Sequence, residues 1–212
     1  MIVEMLEVGP FMENTYVVGC EETKEGIVID PGDEPERILE AIDRHGLNVT
    51  RIVNTHAHID HMGAAEAIQR AKGAKFLVHD TEAPFVDAYD RQCEFFGVRF
   101  GAKPKVDGFL AEGDVVKVGN YEGKVIHTPG HSPGGLCFHF GDVVFVGDTL
   151  FQGSIGRTDL IGGDYNALIS NIKEKLLTLP PKTKAYSGHG PATQIWREKE
   201  SNPFLTGRMQ IF

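Results

Sequence analysis

The segment THAHIDHMG, residues 55–63, concentrates side chains that bind metal ions: His56, His58, Asp60 and His61. Imidazole and carboxylate groups are the usual protein ligands of zinc and similar divalent ions. In an extended segment, positions 56, 58 and 60 project to the same side because side chains alternate along the backbone. Residue 61 points elsewhere until the chain turns into a helix. The spacing therefore predicts His56 and His58 on one ion, with Asp60 and His61 directed at a second.

Three later segments each place one further candidate ligand directly after an apolar, strand-like run. His131 lies in HTPGHSPGG, Asp148 in FVGDTLF and His189 in YSGHGPA, all in glycine-containing loops. A catalytic metal site needs ligands from several parts of the fold, and loops at strand ends supply them. Asp148 is the natural bridge between two cations because a carboxylate has two oxygen atoms. Ordinary hydrogen-bonded loop histidines are the alternative, which the nearby cluster disfavours.

Strands and helices must position these residues, and the N-terminal half of the sequence alternates between the two. The segments IVEML, TYVVG, GIVID, TRIVNTH and KFLVH have the composition of strands. Helices are predicted over residues 33–45, 62–71 and 80–90. Asp33 is the expected cap of the first helix, and Gly46 and Gly73 are expected to end the first and the second.

The second half of the sequence starts again with strands. VVKVG, GKVIHT, LCFHF and VVFVG follow one another at the short spacing of an antiparallel meander. An amphipathic helix is predicted over residues 164–177, and KAYSGHG reads as a strand and loop. Two halves that each run from strands to helices predict an α/β fold, a four-layer αββα sandwich. No linker divides the sequence, so we expect a single domain over residues 1–212.

Composition and charge limit the partners of the protein. The apolar fraction is 41%, and no apolar run approaches the roughly 18–20 residues that cross a bilayer. The net charge is −9 without a basic patch, which disfavours a nucleic-acid partner. The first residues lack the basic start of a signal peptide, and three widely spaced cysteines do not suggest a disulfide framework. We therefore expect a cytoplasmic protein without a membrane or nucleic-acid partner; no pattern indicates its oligomeric state.

Five motifs in a fixed order resemble the metallo-β-lactamase superfamily: THAHIDH, TPGHSPG, GDTLF, GRTDL and SGHGPAT, spanning residues 55–193. More narrowly, the chain is similar to the glyoxalase II, or hydroxyacylglutathione hydrolase, branch and its short relatives. The resemblance implies the αββα fold and two divalent metal ions, with zinc expected and iron or manganese as alternatives.

The resemblance also implies a role for each candidate residue. The implied ligands are His56, His58 and His131 for one metal, Asp60, His61 and His189 for the other, and Asp148 as the bridge. A metal-bound hydroxide would attack the carbonyl of a small-molecule thioester, and Asp60 would also orient that water. The implied function is a metal-dependent thioesterase that acts on an S-2-hydroxyacylglutathione or a smaller relative.

Two features depart from the glyoxalase II pattern at the glutathione site. Few residues follow His189, so the basic helical region of full-length glyoxalase II is expected to be missing. In GRTDLIGG, Arg157 is kept, but Thr158 and Asp159 stand where the family typically has aromatic residues. Arg157 is a candidate to bind a substrate carboxylate, and a structural surface arginine is the equal alternative.

A persulfide dioxygenase of the same branch is the main alternative function. The resemblance implies that such an enzyme would hold a single iron through His56, His131 and Asp148, so ligand types alone do not separate the two functions. GDTLF, with Thr149, and the complete second set of ligands favour the hydrolase. β-Lactamases, nucleases and flavin-dependent diiron proteins fit the sequence less well.

Overall fold

The computed structural model describes residues 1–209 and contains two six-stranded β-sheets with helices on their outer faces. The strands of the first sheet are β1 (Ile2–Val8), β2 (Glu13–Gly19), β3 (Glu25–Ile29), β4 (Asn48–Val53), β5 (Lys75–Val78) and β6 (Val106–Phe109). Those of the second sheet are β7 (Val115–Val118), β8 (Tyr121–His127), β9 (Leu136–Phe140), β10 (Val143–Gly147), β13 (Lys184–Ser187) and β14 (Thr193–Gln194). A ribbon of β11 (Leu150–Phe151) and β12 (Ser154–Ile155) follows β10.

The helices complete the four-layer αββα sandwich that the strand pattern predicts. Those described are α1 (Pro35–Arg44), α2 (Ile59–Met62), α3 (Ala65–Lys72), α4 (Ala83–Asp87), α5 (Tyr89–Phe96), α6 (Tyr165–Asn171) and α7 (Ile195–Ser201). The first five pack on the first sheet, and α6 and α7 pack on the second. Within residues 1–209, no helix has the length and apolar character needed to span a membrane.

Alternation of side chains along the strands builds the layers. In β2, Tyr16 and Val18 are buried between the two sheets, whereas Val17 is buried against the helices. Phe138 and Phe145 reach into the same central layer from the second sheet. Successive side chains point to opposite faces of a sheet, so a strand covered on both sides reads as a continuous apolar run.

The direction of the strands brings several loops to one edge of the sandwich. β3, β4 and β5 run parallel, and the carboxyl end of β4 leads towards His56. β7 to β10 form the predicted antiparallel meander, and β13 pairs parallel with β10. β8, β10 and β13 therefore point the same way, and their carboxyl ends lead to His131, Asp148 and His189. Ligands of α/β folds commonly bind at such carboxyl ends.

The helix predicted over residues 33–45 is α1, but the predicted cap is wrong. Glu34, with a φ of 52°, precedes α1, and Pro35 occupies its first turn. Asp33 instead accepts a hydrogen bond from the backbone N–H of Glu34, at 2.7 Å. Proline suits a first turn because the N–H there has no helical partner. Gly46, with a φ of 62°, follows the helix as predicted.

The next two predicted helices are each divided. The helix expected over residues 62–71 is split at Gly63, between α2 and α3. A Cβ atom on Gly63 would lie 2.3 Å from the carbonyl oxygen of Gly32, so two backbone segments meet where only glycine fits. The region predicted over residues 80–90 forms a 3-10 turn (Asp80–Glu82), α4 and then α5, which extends to Phe96.

Replacing Phe145 with alanine tests the central layer between the sheets. The Phe145 ring is fully buried, stacks on Tyr186 and meets Tyr16 edge to face at a centroid distance of 5.1 Å. We expect the free energy of unfolding to fall by about 3–5 kcal/mol, as for other buried phenylalanines truncated to alanine. Denaturant unfolding followed by circular dichroism measures the change. Phe109→Ala is the control, because Phe109 is 55% exposed; equal losses in the two variants would contradict the packing.

Candidate metal centre

Asp148 lies at the meeting point of the predicted ligands. Its Oδ1 atom is 3.4 Å from Nε2 of His61, and its Oδ2 atom is 3.6 Å from Nε2 of both His131 and His189. The loops after β8, β10 and β13 and the short helix α2 all converge on this carboxylate. A Cβ atom on Gly188 would lie 2.3 Å from Oδ1 of Asp148, so the close approach requires glycine there.

Two groups of three donors form around Asp148. Nε2 of His131 is 3.2 Å from Nε2 of His56 and 3.0 Å from Nδ1 of His58. The second group, whose ligand atoms all lie within 4.8 Å of one another, consists of Asp60, His61 and His189. The structure thus brings together every ligand predicted from the sequence; it also places His56 with His61 and Asp148, and His61 with Glu13 and Asp30, close enough to share an ion.

In four of the five histidines, the ring nitrogen that faces away from the centre of the cluster forms a hydrogen bond with another part of the protein. The partners of Nδ1 are the Arg157 carbonyl for His131 (2.8 Å), the Asp30 carboxylate for His61 (3.1 Å), the Thr55 hydroxyl for His56 (3.0 Å) and the Met12 carbonyl for His189 (3.3 Å). Such bonds fix the ring orientation and leave Nε2 free to bind a metal. Sequence reasoning missed Asp30, although it follows the apolar strand GIVID much as Asp148 follows VVFVG.

The protonation states of His56, His58 and Asp148 suit a cation. Burial, reinforced by neighbouring imidazoles, lowers the pKa of His56 well below its ordinary value and the pKa of His58 to about 3. Both rings are therefore neutral at physiological pH, which is the metal-binding form. Burial opposes ionisation of Asp148, but the neighbouring His61 outweighs it and holds the pKa of this carboxyl below its usual range.

Two atoms at the centre of the cluster lack a hydrogen-bond partner within residues 1–209. They are Nε2 of His61 and Oδ1 of Asp148, and both are buried. An unpaired buried polar atom costs about 1–3 kcal/mol, which a cation placed between them would offset. A mixed set of imidazole and carboxylate donors suits zinc, iron and manganese. The residues present therefore fit divalent metal ions.

A buried glutamate, which the sequence did not single out, connects two ligand loops. The Glu82 carboxylate accepts one hydrogen bond from the backbone N–H of Ala57 (2.8 Å) and another from that of Gly134 (2.7 Å). Ala57 lies between His56 and His58, and Gly134 follows His131 in its loop. Glu82 thus fixes the distance between the two parts of the three-histidine group.

Arg157 is bound within its own loop. Its guanidinium group makes a two-pronged ion pair with the Asp159 carboxylate, at 2.7 and 2.8 Å, and both side chains are exposed. The backbone carbonyl of Arg157 holds His131, as described above. A substrate carboxylate would therefore compete with Asp159 for this arginine.

The metal cluster opens into a cleft of about 440 Å³. Asp60, Asp148 and His189 lie at its floor with part of each side chain exposed. The rings of Phe96 from α5 and Phe151 from β11 form parts of its walls. Small molecules thus reach the candidate metal ligands from one side, between aromatic walls.

Comparison with known proteins agrees with the geometry. The family model described as the metallo-beta-lactamase superfamily matches residues 8–189, a range that holds every residue of the cluster. The hydroxyacylglutathione hydrolase GloC of Haemophilus influenzae is 37% identical over 98% of this chain and 100% of its own length. The similarity therefore covers the whole fold and not the motifs alone.

Three solved structures are similar over nearly all of this chain. The B3 metallo-beta-lactamase BLEG-1 has a TM-score of 0.90 at 37% identity and covers 97% of this chain and 100% of its own. TTHA1623, in a di-iron-bound form, has a TM-score of 0.86 at 39% identity, over 96% and 100%. ETHE1 from Myxococcus xanthus has a TM-score of 0.83 at 30% identity, over 98% and 85%.

Asp148→Ala tests the position of this carboxylate between the two donor groups. We expect tight metal binding to be lost, with metal content falling from about two ions per chain to one or none. Elemental analysis of dialysed protein measures the content. Asp142→Ala is the matched control, because Asp142 is an exposed carboxylate next to the same strand. Unchanged metal content in Asp148→Ala would contradict the assignment.

Glu82→Gln tests the link between the ligand loops. The amide keeps one accepting oxygen and replaces the other with an NH₂ group, so one of the two loops loses its hydrogen bond and the link between them is broken. We expect metal affinity to fall about 10-fold, the lower end for residues that support metal ligands. Chelator competition measures the affinity. Glu112→Gln is the control, since Glu112 also accepts a backbone N–H, from His127, but on the surface; equal affinity in all three proteins would refute the role of Glu82.

Proposed function

The chain belongs to the metallo-β-lactamase superfamily as one of its metallo-hydrolases, and we propose that it hydrolyses a small-molecule thioester. The observation that carries the proposal is the cleft, on whose floor two groups of metal-binding side chains meet at Asp148. Similarity to the hydroxyacylglutathione hydrolase GloC supports an S-2-hydroxyacylglutathione, or a smaller thioester, as the substrate.

We propose a two-metal site, with zinc as the first candidate ion. One ion would be held by His56, His58 and His131, the other by Asp60, His61 and His189, with Asp148 between them. Such ions, when bound, activate water near neutral pH and polarise a carbonyl oxygen. The di-iron form of the similar protein TTHA1623 supports a site for two ions and makes iron the second candidate.

Asp60 is the side chain placed to orient the attacking water. Burial opposes its ionisation, but the neighbouring His61 outweighs it and lowers the pKa of the Asp60 carboxyl below its ordinary value. The carboxylate therefore accepts hydrogen bonds and has no proton to donate at neutral pH. Its Oδ2 atom lies 3.3 Å from Nε2 of His189, which holds it at the floor of the cleft.

The absence of a general acid favours a thioester over an amide or an alkyl ester. In the described part of the chain, residues 1–209, the cleft walls contain no lysine, tyrosine or cysteine that could protonate a leaving group, and their three histidines are all candidate metal ligands. A thiolate can leave without a proton, because thiols ionise with a pKa of about 8.5. Departing amines and alkoxides are far more basic and need one.

A persulfide dioxygenase is the second candidate function. The likeness to ETHE1, at 30% identity over 98% of this chain, is the observation that fits it. A single iron would then be held by His56, His131 and Asp148. The complete second group of Asp60, His61 and His189 favours the hydrolase, because a single-iron enzyme does not need it.

Thiol release from S-D-lactoylglutathione tests the proposed function. Protein loaded separately with zinc, iron and manganese is assayed with a thiol reagent. We expect metal-dependent release that falls more than about 100-fold in His56→Ala, since losing a ligand costs more than losing a supporting residue. His139→Ala is the control, because His139 bonds only the Gly141 carbonyl, outside the cluster.

No release by folded, fully metallated protein with any of the three metals would remove this substrate. Oxygen consumption with glutathione persulfide by the iron-loaded protein is then the next measurement. Uptake that disappears in His56→Ala would replace the hydrolase with the dioxygenase.

A further inference from the structure

A second pocket opens beside the cleft and shares three lining residues with it. The shared residues are His58, Phe96 and Leu160, and the second pocket has a volume of about 470 Å³. Its other walls include Phe85, Ala88, Phe95 and Ile161. The two cavities are thus continuous around a candidate metal ligand, so one substrate molecule can occupy both.

The lining of this pocket is apolar and unusually accessible. Phe95 is 77% exposed and Ile161 is 85% exposed, although both are large apolar side chains. They come from separate segments, α5 and the loop before α6, and face a common space. Exposed apolar side chains gathered around a concavity are typical of a binding site for an apolar group.

The pocket is joined rigidly to the metal ligands. The side-chain amide of Gln92, in α5, donates to the carbonyl oxygens of Ala57 (3.0 Å) and Phe85 (2.9 Å). Its oxygen accepts a hydrogen bond from the N–H of Ile59, at 3.0 Å. These bonds hold the wall of the pocket against the loop that carries His58. They also occupy the polar atoms of Gln92, which leaves the wall apolar.

The distribution of polarity assigns the two ends of a thioester. The cleft on the metal side contains Ser154 and Arg157, which suit a polar thiol carrier such as glutathione if the carrier displaces Asp159 from the arginine. The second pocket offers no such partners except Arg91, which lines it.

We propose that this pocket binds an apolar acyl group, aryl or alkyl, attached to the scissile carbonyl; the inference rests on the proposed thioesterase function. The lactoyl group has a single methyl substituent and would leave most of the pocket empty. Each further methylene buried there is expected to raise kcat/KM about fourfold. The substrate class is thus a thioester of a bulky apolar acid carried by a polar thiol.

A comparison of S-lactoyl-, S-2-hydroxyhexanoyl- and S-mandeloylglutathione tests the proposal with metal-loaded protein. We expect kcat/KM to be at least 10-fold higher for the two larger acyl groups, in keeping with about fourfold per buried methylene. Ala88→Trp fills the pocket and should abolish this preference. Equal kcat/KM for all acyl groups in the wild type would overturn the proposal.

A second variant covers the case in which Ala88→Trp fails to fold. Phe95→Ser removes part of the exposed wall and is expected to reduce the preference for the larger acyl groups severalfold. Phe109→Ser is its control, because Phe109 is 55% exposed and lies outside the pocket. A preference that persists unchanged in Phe95→Ser would count against the pocket.

Binding of the free acids separates this proposal from the thioesterase function. Mandelate and lactate carry the same 2-hydroxycarboxylate group, so any contact with a metal is common to both. Calorimetry with metal-loaded protein should show at least 10-fold tighter binding of mandelate, lost in Ala88→Trp. Retained selectivity without hydrolysis of any thioester would refute the proposed function alone. Equal affinity for the two acids would refute the pocket.

Discussion

Burying imidazoles and carboxylates face to face costs free energy, which a cation between them recovers. The cost is concentrated at Asp148, because Nε2 atoms of three histidines lie 3.4–3.6 Å from this single carboxylate. Oδ1 of Asp148 and Nε2 of His61 have no hydrogen-bond partner among residues 1–209, so the described side chains leave the centre of the cluster unsatisfied. The two sheets, their parallel carboxyl ends and the glycines of the loops all serve to hold these donors together.

The supporting residues are as informative as the ligands. The Glu82 carboxylate connects the loop of His56 and His58 to the loop of His131. The Asp30 carboxylate orients the ring of His61 by accepting a hydrogen bond from its Nδ1 atom. Gln92 extends the same rigid unit outwards to α5, so the pocket beside the cleft is fixed relative to the metal ligands. A substrate held by that pocket is therefore held at a defined position relative to the donors, as efficient catalysis requires.

Features that depend on residues close together in the sequence could be predicted, whereas features that depend on contacts between distant residues could not. The candidate ligands can be picked out in the sequence because each leaves a local signal, the short-range cluster or a polar residue after an apolar strand, and the structure brings them together. The αββα fold was predicted from the order of strands and helices, and the structure confirms it. Glu82 leaves no such signal, because it acts through backbone atoms of residues far away in the sequence. The cap at Asp33 was wrong because Pro35 sets the first turn of α1. The unbroken helix over residues 62–71 was wrong because the N–H of Ala64 donates to the distant Pro31 carbonyl, at 3.0 Å.

The central claim is that Asp148 joins two cation sites, each completed by three side chains. The most direct measurement is a crystal structure of the zinc-loaded protein with anomalous difference maps recorded on both sides of the zinc absorption edge. The account predicts two peaks beside Asp148, one among His56, His58 and His131 and the other among Asp60, His61 and His189. A single peak, or a peak among Glu13, Asp30 and His61, which also lie close enough to hold an ion, would contradict it.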